Sequence, residues 1–118
     1  MPRNSDERRA ARHYRLRGYR ILGANVWSGG YELDLIVRRG SKLTFVEVKQ
    51  RQGSGFGGAV GAVGAEKRRR VRRAAQVWLS RNPQPEYIRV GFEVVTVEEG
   101  RLVRIPAGLI ENAGPPSD

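Results

Sequence analysis

Three residues combine reactive side chains with suggestive spacing: Asp34, Glu47 and Lys49. They lie in two β-rich runs, residues 32–38 and 43–49, which flank Arg39-Gly40-Ser41-Lys42. Gly40-Ser41 suits a two-residue hairpin turn with glycine at its first central position. In the register this turn imposes, Asp34 lies opposite Glu47 and Glu32 opposite Lys49. Period-2 alternation then puts all four on one sheet face, with Leu33, Leu35, Val37, Thr44, Val46 and Val48 on the other, a core face. Like charges directly opposite in a sheet are destabilising, so Asp34 and Glu47 call for a counter-cation. Two readings meet that need: a divalent metal shared by the carboxylates, or an ion-pair cluster with Lys49 and nearby Arg.

The metal reading has specific chemistry. One or two Mg²⁺ or Mn²⁺ ions on Asp34, Glu47 and the backbone carbonyl of Val48 would generate a hydroxide-like nucleophile and neutralise charge growing on a phosphoryl group. Lys49, two positions from Glu47 and so on its face, would orient the attacking water and stabilise the transition state, or deprotonate water directly.

Other elements must hold these strands in place. Ser5 or Asp6 can cap a helix running to about Arg17, with Gly18 as its stop signal. Its apolar stripe is Ala10, Ala11 and Tyr14, and Glu7 projects from that same face, either as a site acid or as an acid favouring the helix dipole. Tyr19 to Trp27 reads as a strand ended by Ser28-Gly29-Gly30. Beyond the hairpin, six glycines fall between Gly53 and Gly64, and Gly53, Gly55 and Gly58 form a nominal G-x-G-x-x-G. Without a convincing βαβ context and ribose-binding acid this is not a dinucleotide fingerprint. It reads as a loop that lets backbone approach a phosphate strand, or as a plain linker. A second helix runs from Gly64 or Ala65 to Arg81 and buries Val71, Ala74, Ala75, Trp78 and Leu79, with Lys67 on the same side. A hairpin of residues 88–97 and 102–105 follows, turned at Glu98-Glu99-Gly100, and the tail frays from about residue 112.

Composition narrows the function classes. The 118 residues carry 22 Lys plus Arg against 12 Asp plus Glu, a formal charge of +10 that makes nucleic acid the default partner. There is no Cys and His13 is the single His, so disulfide frameworks, thiolate nucleophiles and multi-histidine metal sites are excluded. No apolar run of the ~18 residues a membrane helix needs is present, and the first residues do not resemble a secretory signal, so a cytoplasmic protein without membrane contact is expected.

Glu7 on a first helix, Asp34 on a strand and Glu47-Val48-Lys49 on the next resemble the PD-(D/E)XK nuclease superfamily. The longer pattern is similar to the YraN-like family of small bacterial proteins, through Tyr31-Glu-Leu-Asp-Leu-Ile36, Phe45-Val-Glu-Val-Lys-Gln-Arg51 and Lys67 before an amphipathic helix. Glu7-Arg-Arg-Ala-Ala-Arg12, Gly18-Tyr-Arg-Ile-Leu22 and Gly91-Phe-Glu-Val-Val95 extend the likeness over nearly the whole chain. The resemblance implies a restriction-endonuclease-like αβββαβ core, similar to archaeal Holliday junction resolvases. It also implies metal ligation by Asp34 and Glu47, catalytic support from Lys49, and a Glu7 that completes or buttresses the metal site. Lys67 would contact phosphate or the acid cluster. The family usually has Gly where Tyr31 stands, and Arg-Phe-Asp where this chain has Gly91-Phe92-Glu93.

The expectation is therefore one α/β domain over residues 1–118, with a mixed central sheet flanked by helices. It would act as a divalent-metal-dependent endonuclease on DNA, branched or otherwise structured, and symmetric cutting of two strands would favour a homodimer. Lys67, Arg51, Arg68, Arg69 and Arg72 are the expected nucleic-acid contacts. The alternatives are a nucleic-acid-binding module that keeps the fold with little turnover, and a structural or ribosome-associated basic protein held by ion pairs.

Overall fold

A computed structural model describes residues 5–50, 64–98 and 100–109. Arg51, the glycine-rich stretch through residue 63, Glu99 and the tail lie outside the described residues. The chain order is α1 (Ser5–Leu16), β1 (Arg20–Ser28), β2 (Tyr31–Arg39), β3 (Lys42–Gln50), α2 (Ala65–Arg81), β4 (Arg89–Glu98) and β5 (Arg101–Leu109). The five strands form one sheet in the order β1-β2-β3-β4-β5, with β3 and β4 parallel and the other pairs antiparallel. This is the mixed α/β sheet of a restriction-endonuclease-like αβββαβ core, followed by a fifth strand.

Local chemistry explains the boundaries. Helix α1 ends as expected at Gly18, whose φ of +88° is open to glycine. The Tyr19 N–H donates to the Tyr14 carbonyl and the Gly18 N–H to the Arg15 carbonyl, the paired bonds of a Schellman cap. At the β2–β3 turn Gly40 takes φ +60° and Arg39 pairs with Lys42, which is the expected two-residue hairpin. Helix α2 starts after Gly64 and buries Val71, Ala74, Ala75 and Trp78, the expected stripe, with Leu79 packed at its margin.

The two helices cover opposite sides of the sheet. Under α1, Ala10, Ala11 and Tyr14 pack on Leu35, Val37, Val46 and Val95. Under α2, Val71, Ala74, Ala75 and Trp78 pack on Ile36, Leu43, Phe45, Phe92 and Val94. Both faces of β2 and β3 are thus dry where they pair, so the hairpin is held from both sides.

One part of the expected register fails, and it fails at the carboxylates. The β2–β3 partners run from Arg39↔Lys42 to Leu35↔Val46 and stop one pair short of Asp34. Asp34–Glu47 and Glu32–Lys49 are therefore not ladder pairs, whereas on the other edge of β2 the pairing with β1 continues through Glu32 to Tyr31. Leu33 also leaves its expected face: it packs with Ile36 and Phe45 under α2, whereas Leu35 and Val37 pack under α1. The cause is local. Beyond Leu35 the Asp34 side chain, not a main-chain carbonyl, accepts the next N–H of β3, and β2 is freed to break its alternation there.

Candidate active site

The strands part where the reactive residues stand. Asp34 Oδ2 accepts the Val48 N–H at 2.8 Å, so its carboxylate lies toward β3 rather than above the sheet. In an extended strand the N–H and C=O of one residue point to the same neighbour, so the Val48 carbonyl also faces the Asp34 side of β3. Glu47, 9% exposed, is held by three groups. The Lys67 ammonium lies 3.0 Å from Oε2, the Lys49 ammonium 4.0 Å from the same oxygen, and the Tyr31 hydroxyl donates to Oε1 at 3.2 Å. The anions expected face to face are thus near neighbours in different orientations: Asp34 turned along the sheet, Glu47 toward the first turn of α2.

Electrostatics couples them. Burial, then the Glu47 charge, and further the charge of Glu7, push Asp34 up to about 7, against the opposing pull of the Val48 N–H. Burial and the neighbouring Glu47 charge likewise push the Tyr31 hydroxyl up to about 12, so it stays protonated and donates. Lys49 is lowered, first by the adjacent Lys67 amine and then by burial, because two cations crowd one carboxylate.

Glu7 joins from α1. It is 8% exposed, and its Oε1 accepts from Asn25 Nδ2 at 3.0 Å. Asn25 is the residue that pattern reading missed. It has φ +52°, the one positive φ outside glycine among the described residues. Strand β1 shifts register between Ile21 and Gly23, and the pairs Ala24↔Leu35 and Val26↔Leu33 that follow set Asn25 across from Asp34. A lone Asn in an apolar run is the available sequence signal, since Asn tolerates the left-handed conformation better than most residues.

The donors suit a hard cation. Carboxylate and main-chain oxygens are the ligands Mg²⁺ and Mn²⁺ prefer, and Asp34 keeps Oδ1 clear of its bond to Val48. Among the described residues no group of three or more His, Cys, Asp or Glu side chains is arranged to hold a metal. The oxygen donors that could hold such a cation are Asp34, Glu47 and the Val48 carbonyl, with Glu47 now paired to Lys67, while Glu7 is bonded to Asn25.

The expected nucleic-acid contacts separate. Lys67 turns inward to Glu47. Arg68 is half-buried, its guanidinium against Gly108 of β5. Arg69 donates to Glu66 at 2.6 Å, and Arg70 pairs with the same carboxylate at 3.1 Å. Arg72 and Arg73 are exposed. Arg51 lies outside the described residues.

A second buried carboxylate, Glu93 on β4, was not anticipated as an anchor. Arg104 of β5 grips both its oxygens, at 3.0 and 3.1 Å, and the Tyr14 hydroxyl donates to it at 2.5 Å. The Arg104 guanidinium also lies over the rings of Tyr14 and Tyr19, at 4.8 and 5.6 Å. Burial alone would raise the Glu93 pKa, but the bonds from Arg104 and Tyr14 lower it below the usual value.

Residues 6–97 match the family described as uncharacterised protein family UPF0102. A UPF0102 protein of Symbiobacterium thermophilum is 43% identical over 108 residues, 91% of this chain and 90% of its own. Another, from Alkalilimnicola ehrlichii, is 39% identical over 98 residues, covering 83% and 78% of the two chains. A third, from Serratia proteamaculans, is 41% identical over 98 residues, covering 81% and 84%. With the matched span running from the first turn of α1 through β4, and Glu7, Asp34, Glu47 and Lys49 all within it, the chain belongs to the uncharacterised protein family UPF0102.

Proposed function

We propose that this protein is a divalent-metal-dependent endonuclease of the PD-(D/E)XK type, YraN-like, that hydrolyses phosphodiester bonds in branched or otherwise structured DNA. The observation that carries the reading is the parting of β2 from β3 at Asp34. There a carboxylate takes the Val48 N–H and stands beside Glu47, with Lys49 next along the strand. An ordinary hairpin would continue its ladder and would not bury neighbouring acids at its end.

Asp34, Glu47 and the Val48 carbonyl would hold the cation, which when bound lowers the pKa of water and offsets charge on a phosphoryl oxygen. The chain's own residues do the rest. The Val48 N–H fixes the Asp34 carboxylate, the Tyr31 hydroxyl donates to Glu47, and the Lys49 ammonium, 4.0 Å from Glu47, would hold an attacking water or a phosphoryl oxygen. The first turns of α2 carry Lys67, Arg68, Arg69 and Arg70, of which Lys67 is paired with Glu47 and Arg69 and Arg70 share Glu66. Exposed Arg72 and Arg73 follow along the helix.

One observation favours the binding-module alternative: the Lys67 ammonium already satisfies a Glu47 oxygen at 3.0 Å, as an internal counter-cation would. A panel of duplex, nicked, flap and four-way DNA with Mg²⁺ or Mn²⁺ separates the two. The nuclease reading expects metal-dependent nicking of at least one substrate, lost in Lys49→Ala with the circular dichroism unchanged. If every substrate stays intact with every divalent metal while still being bound, the module reading replaces it.

A further inference from the structure

Asn25 combines three features that a simple packing residue has no use for. Its backbone is left-handed in the middle of a strand, at φ +52°. Its side chain crosses from β1 to α1, where Nδ2 donates to Glu7 Oε1 at 3.0 Å. Its Oδ1 is buried with no hydrogen-bond partner among the described residues. A left-handed conformation and an unpaired buried oxygen both oppose folding, and a Gly at this position would avoid both. Such local strain gathers where a side chain has to be aimed.

The surroundings say what is being aimed. The register of β1 on β2 sets Asn25 across from Asp34, and the amide holds the one acid of α1 that is turned inward with the helix's buried stripe. Through that bond the Glu7 carboxylate is tied to the residue that stands across from Asp34. The surrounding strand is firmly placed: Ser28 donates to the Ala74 carbonyl at 2.8 Å, and a Cβ on Gly29 would come within 3.1–3.4 Å of Val77 and the α2 backbone.

We propose that Asn25 is a positioning residue, which holds the Glu7 carboxylate of α1 against Asp34 and thereby sets the cation affinity of the site. The inference rests on the nuclease reading and deepens it: Asn25 acts through Glu7, and Glu7 acts through its charge on the cation.

Mn²⁺ titration of the full chain tests it, with thermal melting followed in parallel. Asn25→Gly keeps the left-handed backbone and removes the amide. It is expected to melt at or above the wild-type temperature yet bind Mn²⁺ about 10-fold more weakly, the lower end of what outer-shell changes do to metal sites. Glu7→Gln, which keeps the helix and removes the charge, is expected to weaken binding at least as much. In the Glu7→Gln background Asn25→Gly is expected to change affinity less than about 2-fold, because residues acting through one contact are not additive. Unchanged affinity in Asn25→Gly or in Glu7→Gln, with the wild type binding, overturns the inference alone and leaves the nuclease reading standing. Additive losses in the double variant also overturn it. A wild type that binds no Mn²⁺ overturns the nuclease reading, and this inference with it.

Discussion

Two buried carboxylates, Asp34 and Glu93, stand on the same sheet in opposite electrostatic conditions. Glu93 has a bidentate guanidinium, a phenol hydroxyl and two aromatic rings around its partner cation. Asp34 has one main-chain N–H, and its larger neighbours in charge are two further acids, Glu47 and Glu7. Burial pushes both groups upward, and partners decide the outcome: Glu93 ends below its ordinary range and Asp34 near 7. The same sheet thus satisfies one acid with a cation and a phenol and leaves the other beside further acids; in the nuclease reading proposed above, the second is the working group. Perturbed groups of the second kind are what catalytic and cation sites require.

The difference predicts opposite responses to mutation. The largest expected effect is on chemistry: Lys49→Ala is expected to lower metal-dependent nicking by roughly 100-fold or more, the scale of a removed transition-state donor. Its thermal unfolding should change little, because Lys67 remains on Glu47. Next comes Arg104→Ala, which leaves a buried carboxylate without its ion-pair partner and is expected to destabilise the fold by about 3–5 kcal/mol in urea titration. Mn²⁺ affinity in that variant should stay at the wild-type level, and a large loss of affinity would show that the two regions are coupled after all.

A smaller effect of opposite sign is expected at the site. Asp34 has a folded-state pKa near 7 against 3.8 for the free group, so the folded chain holds a proton there that the unfolded chain gives up. Metal-free stability therefore falls as pH rises from about 4 to 7, by up to about 4 kcal/mol from this group. Glu93 works the other way: its contribution is present above the ordinary Glu range and is lost as pH falls through its lowered value. Asp34→Asn, whose amide oxygen can still accept from Val48, is expected to stabilise the metal-free protein by about 2 kcal/mol at pH 8 and hardly at all at pH 4. Equal effects at both pH values, measured by urea unfolding, would remove the charge explanation.

The smallest effect separates surface arginines. Arg72→Gln is expected to lower the salt slope of duplex DNA binding by about 0.9, one phosphate contact. Arg69→Gln should lower it by less, since Glu66 already holds that guanidinium at 2.6 Å. Equal slopes in both variants would show that Glu66 releases Arg69 on binding.

Much of this was legible in the residues. Gly18 and Gly40 mark ends whose backbone needs a positive φ, so α1 and the β2–β3 turn follow from glycine placement, and the turn fixes the register from Lys42 to Val46. The stripes of α1 and α2 follow from helical spacing. What escaped was set by long-range geometry. Period-2 reasoning extends a ladder indefinitely, so it carried Asp34 onto Glu47 and Leu33 onto the α1 face, whereas a side chain ends the ladder in the fold. Asn25 was hidden because alternation shows which positions fit a strand, not which one bends backward. Glu93 was hidden because Arg104 meets it across a hairpin, and Tyr14 lies 79 residues away.

The central claim is that Asp34 and Glu47 form a pair awaiting a divalent cation. Calorimetric titration of Mn²⁺ at pH 7, in buffers of different ionisation heat, tests it most directly. Binding is expected with net proton release, because burial and the Glu47 charge raise the Asp34 pKa toward 7 and a ligand must give up its proton; both heat and proton release should vanish in Asp34→Ala. An equal Mn²⁺ heat in Asp34→Ala, or no binding by the wild type, would contradict the account.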